Sequence, residues 1–429
     1  MIPIFQKIMS YKFSILIDAS IADVENYFKN PESLKRMDAP GANIRWSYAF
    51  NDSIFHYKAH LGCFYTINLH REITQDSSLQ TKLLDEVRLI PRFGIFSRIF
   101  KKGAIEKLFK LFKIQHKNFM EDLSRYDSFK GALSKQIVIS GASGFVGSFL
   151  KVMFKLFGYS VKTLVRKRPK DEDEIFWDPY CELIDKRSLE GVYAVINLTG
   201  ENLFSFRWSR TKKQKILQSR VRSTKFLAHT LNQLQYPPKV FFCASAVGYY
   251  GHLENSSAAE SAQAGEGFLA HVAASWEEMS KIFTKGKSVQ MRLGVVISSQ
   301  GGLLKKVLPL FSLGLGAILG SGKERLSWIS LEDVAYQLLF LLKHAYCEGP
   351  YNFCSSNTLT QQEFALKLSQ ALKKPLWMRF PRWLLYAILG EMSSLMLNSI
   401  EAKPKKLLEL GAKFAYPNFS ETLQHNIGL

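Results

Sequence analysis

The sequence predicts an α/β protein with a doubly wound parallel sheet, preceded by a separate α+β domain. Three observations carry that expectation. From Gln136 onward, apolar runs of strand length alternate with longer helical patterns, the order that builds a parallel sheet flanked by helices. Ile137–Gly147 reads IVISGASGFVG, a strand passing through Gly141, Gly144 and Gly147 into an apolar helical pattern. Residues 1–130 follow a different order, with several strand-like runs in succession closed by one long amphipathic helix.

Composition bounds what the chain can be. Its 429 residues, 47% hydrophobic and 13% aromatic, suffice for two or three packed cores and exclude a disordered chain. The nearest approaches to a membrane span are Leu308–Leu319, broken by Ser and Gly, and Trp383–Leu397, which carries Glu391 and two serines. Both are too short or too polar to span a bilayer. The opening MIPIFQKIMSYKF lacks the apolar core and small-residue cleavage site of a secretory signal. Cys63, Cys181, Cys243, Cys347 and Cys354 are scattered, without a CxxC pair or metal-ligand spacing. Free thiols, no metal and a cytoplasmic location are therefore expected.

The net charge is +20, and its excess is densest in Asn202–Gly251, where nine basic residues stand without an acid. Such a segment reads either as a solvated helix face or as a surface for anions, whether a substrate, dinucleotide phosphates or a membrane surface. No nucleic-acid motif accompanies it, so nucleic acid is not an expected partner.

The first region opens with the alternating strand Tyr11–Ile17 and short helices at Ile21–Phe28 and Glu32–Met37. Strand-like runs follow at Ile44–Phe50, Ile54–His60, Phe64–Arg71 and Lys82–Leu89, and then the helix Ile105–Leu123. This order resembles the helix-grip domain of the START/polyketide-cyclase (SRPBCC) superfamily. The resemblance implies a long helix across a curved sheet, with a cavity between them for an apolar ligand.

After a polar stretch, Tyr126–Lys135, strands are expected at Gln136–Ser140, Ser160–Val165, Ala194–Leu198, Val240–Ala244, Ser288–Leu293 and Tyr351–Phe353. A strand, a tight glycine turn and a helix N-terminus make a pyrophosphate site, the Rossmann arrangement. Gly141, Gly144 and Gly147, with Ser143, Phe145 and Val146 between them, are the residues placed there. Asn197, Leu198, Thr199 and Gly200 bring a second strand end, with small backbone, beside the adenosine half of the cofactor.

At the end of the second strand an NAD-specific site would carry an acid for the ribose hydroxyl. Here the sequence is Arg166-Lys167-Arg168-Pro169, with no acid before Asp171. Guanidinium groups pair with a 2′-phosphate, and each charged hydrogen bond is worth ~1.5–3 kcal/mol. NADP(H) is therefore favoured over NAD(H).

The remaining motifs lie at Asn197–Asn202 (NLTGEN), Arg207-Trp208, Ser219–Thr224 (SRVRST), Ser245–Gly251 (SAVGYYG), Phe268–Glu277, Arg292–Ser298, Gly316–Ile329 and Gly411–Pro417. Together they resemble the SDR39U-type subgroup of the extended short-chain dehydrogenase/reductase superfamily, whose members are called epimerase family proteins, with the C-terminal DUF1731-like segment. The resemblance covers about two-thirds of the chain. It implies an NAD(P)-dependent epimerase or reductase.

One departure bears on mechanism. Hydride chemistry in that superfamily uses a Tyr-x-x-x-Lys pair, yet of 17 tyrosines only Tyr126 has a Lys four residues on, and it precedes the nucleotide strand. Phe268 and Val272 stand where the pair belongs. Ser245 and either Tyr249 or Tyr250 are the remaining catalytic candidates, although both tyrosines also suit a pocket wall. Asn202, Arg207, Trp208 and Arg292 are the candidate substrate-binding residues, with Arg292 read equally as an anion clamp or a structural arginine. The expected organisation is a helix-grip domain over 1–130, a Rossmann domain over 135–374 and a small helical segment over 375–429. The expected activity is oxidoreduction or epimerisation of a small anionic or sugar-nucleotide substrate. The alternatives are a catalytically degenerate NADP(H)-binding sensor or scaffold, and apolar-ligand binding through the first domain.

Overall fold

The structure, a computed structural model, describes residues 8–37, 46–51, 54–61, 65–77, 80–92, 101–126, 135–204, 207–254, 256–344 and 346–427. The expected strand residues 44, 45 and 64, most of the polar stretch after Tyr126, and Phe206 lie outside them. The chain divides into two compact units, one of Met1–Leu133 with Lys155–Gly158 and Gln424–Leu429, the other of Ser134–Phe154 with Tyr159–Leu423.

In the first unit, β1 (Met9–Ile17) leads to α1 (Ile21–Lys29) and α2 (Glu32–Met37). The strands β2 (Ser47–Asn51), β3 (Ile54–Leu61), β4 (Tyr65–Gln75) and β5 (Thr81–Pro91) follow, and α3 (Lys101–Tyr126) closes the unit. Ser20 caps α1 by accepting from the Asp23 amide. The antiparallel sheet runs β1-β5-β4-β3-β2. Period-two alternation buries Ile67, Leu69, Arg71 and Ile73 of β4 on one face.

Helix α3 lays Leu108, Leu111, Phe112 and Phe119 into the core of this unit. Phe112 stacks on Phe13 with centroids 4.8 Å apart, and Phe119 lies 4.6 Å from Phe28. Among the described residues the interior carries buried charged groups beside its hydrocarbon. Arg71 and Asp85 face each other across β4 and β5 in a buried two-pronged pair at 2.7 and 2.6 Å, joined by His116 at 3.1 Å. Arg36 and the Tyr27 hydroxyl both donate to buried Asp122. The pocket beside these groups, lined by Tyr27, Phe28, Arg36, Arg71, His116 and Phe119, holds about 10 Å³, too little for a ligand.

The second unit alternates strand and helix. It contains β6 (Gln136–Ser140), α4 (Phe145–Leu156), β7 (Ser160–Val165), β8 (Glu174–Asp178), β9 (Leu183–Ile184), β10 (Ala194–Asn197), α5 (Arg210–Asn232), β11 (Val240–Ala246), α6 (Phe268–Ser280) and β12 (Lys287–Leu293). Then come β13 (Val295–Ser298), α7 (Gly302–Ser312), β14 (Ala317–Leu319), β15 (Arg325–Leu326), β16 (Trp328–Ser330), α8 (Leu331–Lys343), β17 (Gly349–Phe353), β18 (Leu359–Thr360), α9 (Gln361–Leu372), β19 (Met378–Phe380) and α10 (Arg382–Leu389).

Its main sheet has the order β17-β12-β11-β10-β6-β7-β8-β9, parallel except at the β8–β9 edge. Strand order reverses between β6 and β10, so the crevice outside their C-terminal ends is where an α/β sheet of this kind accepts a nucleotide. The six expected strands are present, and β8 is an addition. Its sequence Glu174–Asp178 buries only Ile175 and Trp177, a signal too short to separate from a loop. Among the described residues no helix is long and apolar enough to cross a membrane.

Candidate functional site

The glycine loop leaves β6 at Ser140 and enters α4 at Phe145. Gly141 sits at φ +74, and a Cβ there would lie 3.0 Å from the Leu198 carbonyl. A Cβ on Gly147 would fall 2.4 Å from the Gly141 oxygen, and one on Gly144 would fall 3.1 Å from it. The turn is closed by the Gly144 amide donating to Gly141 at 2.9 Å. Side chains are thus excluded where the backbone must come close, and the first amides of α4 have no partner within their helix. Ser143 and Gly144 are exposed, with Phe145 and Val146 half-buried. The Phe145 ring packs on Gly301, so an anion would meet the backbone of Phe145 and not its ring.

Asn197 was expected to touch the cofactor and is instead fully buried. It accepts from Ser140 Oγ at 2.6 Å and from the Thr199 amide at 3.2 Å, and donates to Thr224 Oγ1 at 2.8 Å. This residue therefore shapes the loop and leaves Leu198–Gly200 to border the groove. Gly200 lies over Arg220, whose guanidinium would be 2.8 Å from a Cβ at that position. Arg220 donates to the Glu201 and Ile216 carbonyls, and burial pulls it down to about 10.

At the end of β7, Arg166 and Arg168 are exposed. The acids that follow are engaged within their own turn, where Asp171 accepts from the Asp173 amide at 3.0 Å and Glu174 from the Lys170 amide at 2.8 Å.

Ser245 ends β11, buried, and donates to Glu277 on α6 at 2.7 Å. Arg292 on β12 grips both oxygens of that carboxylate at 2.8 and 2.9 Å. It also donates to the Tyr250 hydroxyl at 2.9 Å and the Glu260 carbonyl at 3.1 Å. Burial opposes its charge, and Glu277 more than offsets this, so the guanidinium stays ionised.

Two expectations change here. Arg292 is a buried structural hub, with four hydrogen bonds to Glu277, Tyr250 and Glu260. Tyr250 is only 2% exposed and also donates to Asn352 at 2.7 Å, and burial pushes its hydroxyl up to about 12. It serves as a wall and not as a proton carrier. Tyr249 lies face-on to the Arg292 guanidinium at 3.6 Å, and its hydroxyl has no hydrogen-bond partner among the described residues.

A cleft of about 650 Å³ opens beside Trp208, His252, Phe268, Leu269, Trp383 and Tyr386. A Cβ on Gly248 would meet Leu269 at 3.6 Å, which joins the Ser245–Gly251 turn to the cleft wall. Of the residues expected to bind substrate, Trp208 lines this cleft. Arg207 instead donates to the Ala387 and Ile388 carbonyls at the end of α10, and Asn202 accepts from the Phe204 amide of its own loop. Phe268 packs on Trp208 at 5.3 Å, and Val272 is buried with Trp208, Ile216 and Met392. Of the two positions that lack Tyr and Lys, Val272 is buried in hydrocarbon, while Phe268 is half-buried and faces the cleft. The far wall, from Arg382 to Asn398, was not anticipated. Trp383 and Tyr386 on a short, otherwise apolar helix were its one visible signal.

Residues 137–354 match the NAD dependent epimerase/dehydratase family, and residues 380–425 match a domain of unknown function, DUF1731. An epimerase family protein of Mycobacterium leprae is 33% identical over 292 residues, covering 67% of this chain and 94% of that protein. Epimerase family protein YfhF of Bacillus subtilis is 32% identical over 68% of this chain and 97% of its own length. Human epimerase family protein SDR39U1, solved with NADPH, superposes with a TM-score of 0.63 at 26% identity, over 68% of this chain and 98% of that one. A nucleoside-diphosphate sugar epimerase from Corynebacterium glutamicum shares the fold over 97% of this chain and 90% of its own, with a TM-score of 0.77 at 21% identity. With the glycine turn at the switch point of its sheet, the chain belongs to the NAD dependent epimerase/dehydratase family, among the epimerase family proteins.

Proposed function

We propose that the second unit binds NADP(H) in preference to NAD(H) and uses it to reduce or epimerise a small anionic or sugar-nucleotide substrate. The observation that carries the cofactor reading is the pairing of a turn whose glycines 141, 144 and 147 leave no room for a Cβ with Arg166 and Arg168 at the next strand end. The human relative bound to NADPH supports it. Backbone groups of Gly141–Gly147 would hold the pyrophosphate, Leu198–Gly200 would border the adenosine half, and the two arginines would pair with the 2′-phosphate. When bound, the nicotinamide supplies or accepts a hydride.

The chain's own part is orientation and proton handling. Ser245 gives its proton to Glu277, so its lone pairs are left to accept from a substrate hydroxyl. Both carboxylate oxygens of Glu277 are held by Arg292. Tyr249, with its uncommitted hydroxyl, is the residue assigned to move the proton.

Phe268 and Val272 favour a second reading, a protein that binds NADP(H) without turnover. Nicotinamide-fluorescence titrations decide the first part. NADPH is expected to bind more tightly than NADH, and Arg166→Ala with Arg168→Ala should remove about ten- to a hundredfold of that preference. Equal affinity for both nucleotides in the wild type would overturn the NADP assignment. NADPH oxidation across a carbonyl substrate panel decides the second part. A rate that falls at least ~tenfold in Tyr249→Phe supports the enzyme, whereas tight binding with no turnover assigns the sensor.

By the same reading, residues 1–130 form a START-like helix-grip domain, 135–374 the Rossmann domain and 375–429 an appended segment. The charged interior of the first unit argues for a structural role in preference to carriage of an apolar ligand.

A further inference from the structure

The second unit carries an apolar surface that its own fold does not cover. Leu313 and Leu315 follow α7, and both are exposed, Leu313 at 73%. Strand β14 pairs in parallel with β19, and Gly314 stands within 3.7 Å of Pro375 as judged from its Cβ direction. The Leu313 turn therefore abuts the segment containing Trp377, which is also 73% exposed. Helix α10 continues directly from β19 and adds Trp383 at 71%, Tyr386 at 61% and Ile388 at 43% exposure.

Monomeric surfaces rarely expose this many large apolar side chains on two adjoining segments, and two tryptophans and a tyrosine are the residues suited to a boundary that is apolar on one side and wet on the other. The charge around them is mainly basic, although Glu324 lies 3.9 Å from Arg382 and Glu391 lines the same cleft as Trp383 and Tyr386. Residues 302–323 contain Lys305, Lys306 and Lys323 and no acid. Residues 373–390 contain Lys373, Lys374, Arg379 and Arg382 and no acid.

We propose that this face docks reversibly on an anionic lipid bilayer, with its aromatic and leucine side chains at headgroup depth and its cations among the lipid phosphates. Apolar insertion and attraction to acidic lipids are the two terms that together hold a peripheral protein. A second copy of this chain fits the face poorly, because a two-fold contact would set a predominantly basic face against itself. Arg382, Trp383 and Tyr386 also line the cleft, so docking brings the cleft mouth to the lipid surface. The inference stands whether or not the cofactor reading holds.

Co-sedimentation of the full chain with vesicles tests it. Vesicles of phosphatidylcholine with about one-third phosphatidylserine should bind at least ~tenfold more protein than phosphatidylcholine alone, and raising salt should weaken the binding. Leu313→Ser with Trp377→Ser should cut binding at least ~tenfold while the melting temperature stays at the wild-type value, since both side chains are exposed. Lys305→Glu with Lys374→Glu should abolish the preference for acidic lipid. Binding to neither vesicle, or to both alike, would overturn the proposal. So would a wild-type dimer in sedimentation equilibrium that the Leu313/Trp377 variant dissolves, which would give the face to a second copy.

Discussion

The two halves of the candidate site are built on opposite terms. The nucleotide half is made of absences, with glycines at 141, 144 and 147 where a Cβ would strike backbone and exposed arginines at the adjoining strand end. The half around Ser245 is filled, apart from the cleft beside Phe268. Phe268 and Val272 pack into hydrocarbon, and the polar groups nearby are spent on one another through Ser245, Glu277, Arg292 and Tyr250. A fold can therefore keep the geometry that holds a dinucleotide while the groups that usually move its proton are replaced by core.

The largest effect is expected from breaking the filled half. Arg292 and Glu277 are a buried pair, and removing one partner strands the other charge out of water. Arg292→Met should destabilise the protein by about 3–5 kcal/mol, measured by urea unfolding. Glu277→Gln with Arg292→Met together should recover much of that loss. If the single variant unfolds with the wild-type midpoint, Arg292 is no structural hub, and its role as an anion clamp returns.

Breaking the open half should separate binding from stability. In Gly147→Ala the new methyl would lie 2.4 Å from the Gly141 oxygen, so the turn must move. An overpacked backbone contact of this kind costs about 1–3 kcal/mol, and NADPH affinity should fall by at least ~tenfold. Wild-type affinity in this variant would mean that nucleotide is held elsewhere.

The contrast also explains what the sequence made legible. Strands β6, β10 and β11 are mainly apolar runs, β7, β12 and β17 are more mixed, and all six announce themselves by standing at regular intervals between helical patterns. A glycine loop does so too, because what matters is the residue type and its spacing.

A buried ion network does not, since periodicity gives burial and not partners. Arg71 is the instructive case. Alternation in β4 sets it on the same face as Leu69 and Ile73, and β5 sets Asp85 level with Leu83 and Val87. Period two was enough to place both inside, whereas the apolar cavity was an expectation carried by the START-like resemblance and not by these residues. Glu260 shows the harder limit. Its carboxylate accepts the Asn352 amide at 3.1 Å, from a residue 92 positions away, and no local pattern marks that pairing.

The smallest effect, and the one that sharpens the comparison most, concerns how the C-terminal segment is fastened to α8. Ser330 caps α8 and donates to Asp333, whose carboxylate also accepts from the amides of Ala415 and Tyr416 at 2.7 and 3.1 Å. One acid thus fastens the segment after Gly411 to the helix. Burial pushes that carboxyl up to about 6, against the pull of its three donors. The folded protein therefore takes up this proton at a pH where the unfolded chain is still ionised. Stability from the group is fully present below pH ~4 and is lost as pH rises through about 6. Asp333→Asn removes the titration and turns an amide toward two backbone donors, so it should be less stable than wild type throughout. The gap between the two proteins should widen by ~1 kcal/mol as pH falls from 7.5 to 5.5, read from urea midpoints at each pH. A constant gap would mean that Asp333 stays ionised across that range, and that its three donors outweigh burial in holding the segment in place.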